Sequence, residues 1–348
     1  MTTSSPKSTP PEPARAADLN PLLDAFAAGQ MRALARLITL IDNRAPESSE
    51  IIGRIYPMTG RAQTIGVTGP PGAGKSTLVN CLIARYRALA RKVAVVAIDP
   101  SSPFSGGAVL GDRVRMTGHY KDDGVYIRSL SSRGSHGGLS RTARETVKLL
   151  DAFGFDVIII ETVGVGQTEL AIMDLADTTV VVTVPEGGDG VQIMKAGLNE
   201  IADIFVVNKA DREGADRIKA ELELSVHLRP AGGWRPPVLM TRAAADQGIE
   251  PVLGAIAKHA QFLAEHRDAA RESERRAREF IEVLAAELEE RATRAVGAGS
   301  AHSVVEEVRA GRLNPYSAAL KLLQDGASVA DLLGNHANGL GPGKGGRA

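Results

Sequence analysis

The octapeptide Gly69-Pro70-Pro71-Gly72-Ala73-Gly74-Lys75-Ser76 has the glycine spacing and terminal Lys-Ser of a loop that wraps a polyphosphate. Glycines permit a tight backbone path that turns successive N–H groups inward. A helix beginning after the loop adds the partial positive charge of its first turn. In that arrangement Lys75 sits between the β- and γ-phosphates, Ser76 offers its hydroxyl to Mg²⁺, and Thr77 completes the nucleotide-binding run. Further along, Asn208-Lys209-Ala210-Asp211 follows the apolar run IFVV and has the chemistry to read guanine. Asp211 can accept from both the ring N1–H and the exocyclic amino group, a pair of donors that adenine lacks. Hydrogen bonds a competitor cannot make discriminate better than shape does. The stem of Lys209 can cover the ring face, and Asn208 can tie this loop to the phosphate loop. Thr241-Arg242-Ala243 falls where a second base-contacting loop is expected.

Three acids are placed to serve a cation on the phosphate side: Asp99 after VAVVAI, Asp112 in the loop beyond, and Glu161 after DVIII. Mg²⁺ prefers oxygen ligands and keeps several waters, so these carboxylates act directly or through water. Glu161-Thr162-Val163-Gly164 occupies the place of a D-x-x-G segment, where Gly164 would donate its N–H to a γ-phosphate. The Gly/Ser-rich stretch between Pro100 and Arg115 suits a switch loop. No glutamine follows Gly164 directly, which leaves Asp112 as the better candidate than Gln167 for orienting an attacking water and predicts slow turnover. Glu186-Gly187-Gly188-Asp189-Gly190 precedes a helix bearing Lys195; the loop is a candidate third switch, and Lys195 a charge that completes the site when a partner binds. Lys75, Asp112 and Lys195 form the expected catalytic set. His119 and His136 lack ligand-like spacing and read as loop residues.

These residues need a scaffold. From Gln63 to Thr241 short apolar runs (TIGVTG, VAVVAI, VYIRSL, DVIIIET, TTVVVTV, DIFVVN, PVLMT) alternate with helical stretches, the pattern of an α/β fold with a mostly parallel central sheet flanked by helices. The expected layout is a disordered tail at 1–18, an N-terminal helical extension at 19–60 broken at Gly29, a P-loop domain at 61–248, a helical arm at 249–334 and a flexible tail at 335–348. Within the arm, Phe280, Ile281, Leu284 and Leu288 make an apolar stripe at helical spacing. Lys+Arg and Asp+Glu are equal at 41 each, which argues against nucleic acid as a partner. Cys81 is the single cysteine, so an internal disulfide or a multi-cysteine metal site is excluded. No apolar run is long enough to span a bilayer and no secretory signal is evident, so a cytoplasmic, membrane-free protein is expected.

With these motifs in place the chain resembles the MeaB/MMAA family of methylmalonyl-CoA mutase-associated GTPases, also called ArgK-like, within the SIMIBI class of P-loop proteins. The resemblance covers about residues 20–330. It is carried by GVTGPPGAGKSTLVN at 66–80, AIDPSSPFSGGAVLGDRVRM at 97–116, ETVGVGQTE at 161–169, VPEGGDGVQIMKAGLNEIAD at 184–203, NKAD at 208–211 and GRLNPYSAALKLL at 311–323. The resemblance implies a GTP-dependent chaperone that gates loading of an adenosylcobalamin-dependent acyl-CoA mutase from an adenosyltransferase and guards the mutase against inactivation. It implies Mg²⁺ with GTP or GDP, a metal neighbourhood of Ser76, Asp99, Asp112 and Glu161, activation by the mutase through Lys195, and a homodimer formed by the C-terminal helices. Thr241-Arg242-Ala243 departs from the Ser-Ala pair common in the family's last base loop. Two other classes compete: a nickel-insertion GTPase, which would need a His-rich or Cys/His site, and a transport-associated kinase, which would need ATP that the NKAD loop opposes.

Overall fold

The computed structural model describes residues 19–99, 118–119, 122–131, 141–162, 170–185, 198–229, 233–266, 269–298 and 302–325. Two compact units divide at His266. In the first, helices α1 (Asn20–Ala27) and α2 (Met31–Asp42) are separated at Gly29, and α3 (Ser48–Ile55) follows. Leu34, Leu37, Ile38 and Ile41 recur on one face of α2, and all four are buried, as are Ile51 and Ile55 of α3. They share a core with Leu149 and Leu150 of α5 (Arg141–Phe153), so this N-terminal segment covers one face of the sheet rather than standing apart from it.

Every apolar run forms a strand: β1 (Gln63–Thr68), β2 (Val93–Asp99), β3 (Val125–Ser131), β4 (Val157–Thr162), β5 (Thr178–Thr183), β6 (Ile204–Val207) and β7 (Val238–Met240). They make one seven-stranded sheet in the order β3-β2-β4-β1-β5-β6-β7. All pairs are parallel, which sharpens the expectation of a mostly parallel sheet. β4 and β5 are buried at every residue because helices cover both faces. The short α6 (Leu198–Ile201) and α7 (Ala215–His227) come later in the chain, the latter adding Ile218 and Leu222 to the core shared by α2 and α5. On the second face α4 (Lys75–Ala88) and α8 (Ile249–Glu265) pack Leu78, Leu82, Val252 and Ile256 against β1, β4, β5 and β6.

An aspartate precedes three of the central strands, and each reaches sideways. Asp156 accepts from Lys92 N beside β2 (2.7 Å), Asp177 from Thr64 N and Oγ1 of β1 (3.3 and 2.7 Å), and Asp203 from Thr179 N of β5 (2.8 Å). The first N–H groups of a parallel strand lack ladder partners, and these carboxylates supply them. They pin the N-terminal ends of the strands and leave the opposite ends for the site.

The second unit contains α9 (Ala269–Ala298), α10 (His302–Arg309) and α11 (Pro315–Gln324), the last capped by Asn314, whose side chain accepts from Ser317 N at 2.9 Å. Phe280, Ile281, Leu284 and Leu288 of α9 are exposed in the single chain, as are Tyr316, Leu320 and Leu323 of α11. Among the described residues, no helix is long and apolar enough to cross a membrane.

Candidate functional site

The loop between β1 and α4 turns tightly at glycines that no other residue could replace without a shift. At Gly69 (φ 136°) an added Cβ would lie 1.9 Å from the carbonyl oxygen of Val182, and at Gly74 (φ 88°) 2.3 Å from Asn208 Nδ2. Ala73 is fully buried between them. Lys75 begins α4 and is itself buried. Its ammonium donates back to the carbonyls of Gly69 (2.8 Å) and Pro70 (2.9 Å), which fixes the charge over the loop's own backbone.

Next along α4, Ser76 Oγ donates to Glu161 Oε1 at 2.5 Å. Glu161 lies within β4, in register with Val67 of β1 and Ala97 of β2, so its carboxylate is held, buried, at the C-terminal end of the sheet beside the loop. Thr162 Oγ1 donates to Thr68 Oγ1 (2.9 Å) alongside. A hydroxyl and a carboxylate are hard oxygen donors. They suit Mg²⁺ bound mainly by phosphate and water, since one protein hydroxyl and one carboxylate do not make an all-protein cage. Ser76 can donate its proton to Glu161 while its lone pair faces a cation. Among the described residues, no group of three or more His, Cys, Asp or Glu is arranged to hold a metal. Asp99 ends β2 in register with Ser131. Asp112, Gly164, Gln167, Lys195 and the loop from Glu186 to Gly190 lie outside the described residues.

The two segments expected to contact a base converge on one buried amide, that of Asn208. Asn208 Nδ2 donates to the Ala73 carbonyl in the phosphate loop (2.8 Å), while its Oδ1 accepts from Thr241 Oγ1 and from Ala243 N, both at 3.0 Å. Backbone bonds reinforce the link: Thr241 N donates to Val207 O (2.9 Å), and Ala210 N to Thr241 O (3.0 Å). Lys209 is in the left-handed region at φ 53°, the turn that carries the chain from β6 to Asp211. Asp211 is exposed, with Arg242 Nε 3.4 Å from its Oδ1. The sequence suggested the tie from Asn208 to the phosphate loop. It did not anticipate that Thr241 and Ala243 would complete the same junction; a threonine closing the PVLMT run was the available signal. Cys81 Sγ donates to Ala243 O at 3.4 Å. Burial, then nearby Asp246, pushes its thiol up, so it stays protonated and is a poor metal ligand.

The family described as Methylmalonyl Co-A mutase-associated GTPase MeaB matches residues 34–297. A Pyrococcus abyssi protein carrying a GTPase designation is 46% identical over 314 residues, 88% of this chain and 96% of its own length. The Escherichia coli GTPase ArgK is 38% identical over 237 residues, 66% of this chain and 72% of that one. The mouse mitochondrial methylmalonic aciduria type A homolog is 37% identical over 243 residues, 64% of this chain and 58% of its own length. Among solved structures, one named a LAO/AO transport system kinase superposes with a TM-score of 0.64 at 28% identity, covering 89% of this chain and 98% of that one. With that match over residues 34–297, and with the Gly69–Ser76 loop joined through Asn208 to the segment at 241–243, the chain belongs to the MeaB family of methylmalonyl-CoA mutase-associated GTPases.

Proposed function

We propose that this protein binds and hydrolyses GTP, slowly until a partner engages it, and that the cycle gates adenosylcobalamin loading of an acyl-CoA mutase and protects that mutase. The observation that supports the nucleotide reading is the Asn208 junction, because it makes occupancy of the base site and the shape of the phosphate loop one cooperative unit. In this reading the loop N–H groups from Gly69 to Thr77 hold the polyphosphate, and Lys75 exchanges a carbonyl contact for phosphate oxygens. Asp211 accepts from the two guanine donors while Lys209 covers the ring. Ser76 and Glu161 hold Mg²⁺, aided by Asp99 and Asp112; the ion, when bound, neutralises charge on the phosphates. Asp112 orients the attacking water, Gly164 contacts the γ-phosphate, and Lys195 completes the site on the partner. The mutase association is supported by the family description and by the name of the mouse relative. The exposed apolar stripe of α9 suits a homodimer contact.

The test is GTP turnover by the purified protein with and without an adenosylcobalamin-dependent acyl-CoA mutase, methylmalonyl-CoA mutase first. A stable complex and faster phosphate release are expected. No complex and no stimulation with any acyl-CoA mutase would remove the chaperone reading. Preference for ATP over GTP would instead favour a kinase.

A further inference from the structure

Resting on the proposed reading of Asp211 as the residue that contacts the base, one neighbour has a role that neither the motif nor the family pattern assigns. Arg242 stands where a small Ser-Ala loop is usual, and its Nε lies 3.4 Å from Asp211 Oδ1. Gln247 holds both the backbone and the side chain of Arg242 independently of that contact. Arg242 N donates to Gln247 O (3.0 Å), Gln247 N donates to Arg242 O (3.2 Å), and Arg242 Nη1 donates to Gln247 Oε1 (3.2 Å). The other acid of this loop, Asp246, is taken by Arg85 at 2.8 Å, and Arg85 also holds Glu250 at 2.7 Å. Neither acid competes for Arg242, whose charge is directed at Asp211.

We infer that Arg242 is a specificity-determining positioning residue, holding the Asp211 carboxylate so that both of its oxygens meet the two donors of guanine. The terminal torsion of an aspartate is soft, so an exposed carboxylate samples a broad range of orientations. Guanine needs one of them, because its N1–H and 2-amino donors lie parallel. A guanidinium held at Nη1 by Gln247 keeps its Nε charge at one side of the carboxylate, where a lysine ammonium on a flexible stem has no second anchor. Hypoxanthine offers only the N1–H and is less demanding of the orientation; adenine does not use the carboxylate in this way. Arg242 thus sharpens the preference for a 2-amino purine rather than the strength of phosphate binding. Its side chain is 47% exposed and that of Asp211 51%, so the pair is well screened and its effect is modest.

Equilibrium titration of the full chain with GDP, IDP and ADP, all with Mg²⁺, tests this on the wild type, Arg242→Ala and Arg242→Lys. For Arg242→Ala the expected result is about a two- to fivefold weaker GDP affinity, a smaller loss for IDP and none for ADP, with partial rescue in Arg242→Lys. Unchanged or tighter GDP binding in Arg242→Ala would overturn the inference, as would equal losses for all three nucleotides. Failure of the underlying base reading shows separately: the wild type would then bind ADP as tightly as GDP.

Discussion

The two ends of the parallel sheet use the same chemistry, side-chain oxygen and nitrogen on backbone groups, for opposite purposes. At the N-terminal end, Asp156, Asp177 and Asp203 each bind the adjoining strand, and Asp151 gathers the N–H groups of Gly60, Arg61 (3.1 Å) and Ala62 (2.9 Å). These are pins between neighbours in the fold. At the C-terminal end, Asn208 joins loops that follow β1, β6 and β7, and Ser76 joins α4 to β4. Those bonds couple segments that would otherwise move separately. Damage to the first end is expected to weaken the fold alone, and damage to the second to weaken both the fold and the proposed nucleotide response; substitutions can set the two apart.

The largest separation is expected from Asn208→Ala. Three buried bonds disappear together, and the carbonyl of Ala73, the hydroxyl of Thr241 and the N–H of Ala243 lose their partner. With about 1–3 kcal/mol for each buried group left unpaired, and partial relaxation, the fold should lose roughly 2–4 kcal/mol. GDP affinity should drop by about two orders of magnitude or more, since the loss falls on phosphate and base loops at once. Titration calorimetry with denaturant unfolding checks both figures. A variant that unfolds earlier yet binds GDP within threefold of wild type would mean that the junction is only structural.

The opposite end is probed by pH. His259 of α8 is buried, with Nδ1 2.9 Å from Thr178 Oγ1 and Nε2 3.4 Å from Asp203 Oδ1. The Trp234 ring lies 4.8 Å from the imidazole, and its indole N–H donates to Asp203 O at 2.7 Å. Burial pushes His259 down to about 4, and burial raises Asp203 to about 6 against the bond from Thr179 N and the charge of Arg229. At neutral pH the imidazole is therefore neutral, held between the Thr178 hydroxyl and the Asp203 carboxylate.

The signs oppose each other. The depressed histidine contributes stability that is present above its unfolded value near 6.5 and lost as pH falls through about 4. The raised carboxylate contributes stability present below its unfolded value near 3.8 and lost as pH rises through about 6. Between about pH 4 and 6 the two slopes should largely cancel in the wild type. Asp203→Asn should expose the histidine slope, up to about 1.4 kcal/mol lost per unit of acidification, and His259→Gln should reverse the sign. Unfolding curves across this range, with GDP binding at neutral pH unchanged in both variants, would support the division between the two ends. Parallel pH profiles in wild type and variants would break it.

Thr241→Val is the mildest of these tests. It removes one of the two donors on Asn208 Oδ1 while preserving shape, so about 1 kcal/mol of stability and a severalfold loss of GDP affinity are expected. Thermal unfolding with and without GDP would measure it. A shift in the apo protein alone would show that Thr241 supports the fold without tuning the site.

The strands were legible because each is a short Val/Ile-rich run bounded by turn residues, and the break at Gly29 because its φ of 76° favours glycine. The tight glycine loop after β1 and the turn at Asn208-Lys209 were legible for a similar reason: the residues that shape each are contiguous in the chain. Helix α3 went unnoticed beside stronger neighbours, since its apolar positions Ile51 and Ile55 gain meaning only against α5. Within the stretch read as a helical arm at 249–334, the chain turns between α10 and α11 before Asn314 caps the latter.

By itself, then, the sequence determined the alternation of strands and helices, the constrained glycine positions and the places of the loops that follow β1 and β6, because each rests on local backbone geometry or on side chains close together in the chain. Only the tertiary structure decided that Asn208 would bind Ala73, Thr241 and Ala243 at once, that Glu161 would meet Ser76, and that Arg242 would face Asp211. Those contacts depend on strand order: β1 lies between β4 and β5, and β6 between β5 and β7. That order brings the loops at one edge together, and no spacing along the chain encodes it.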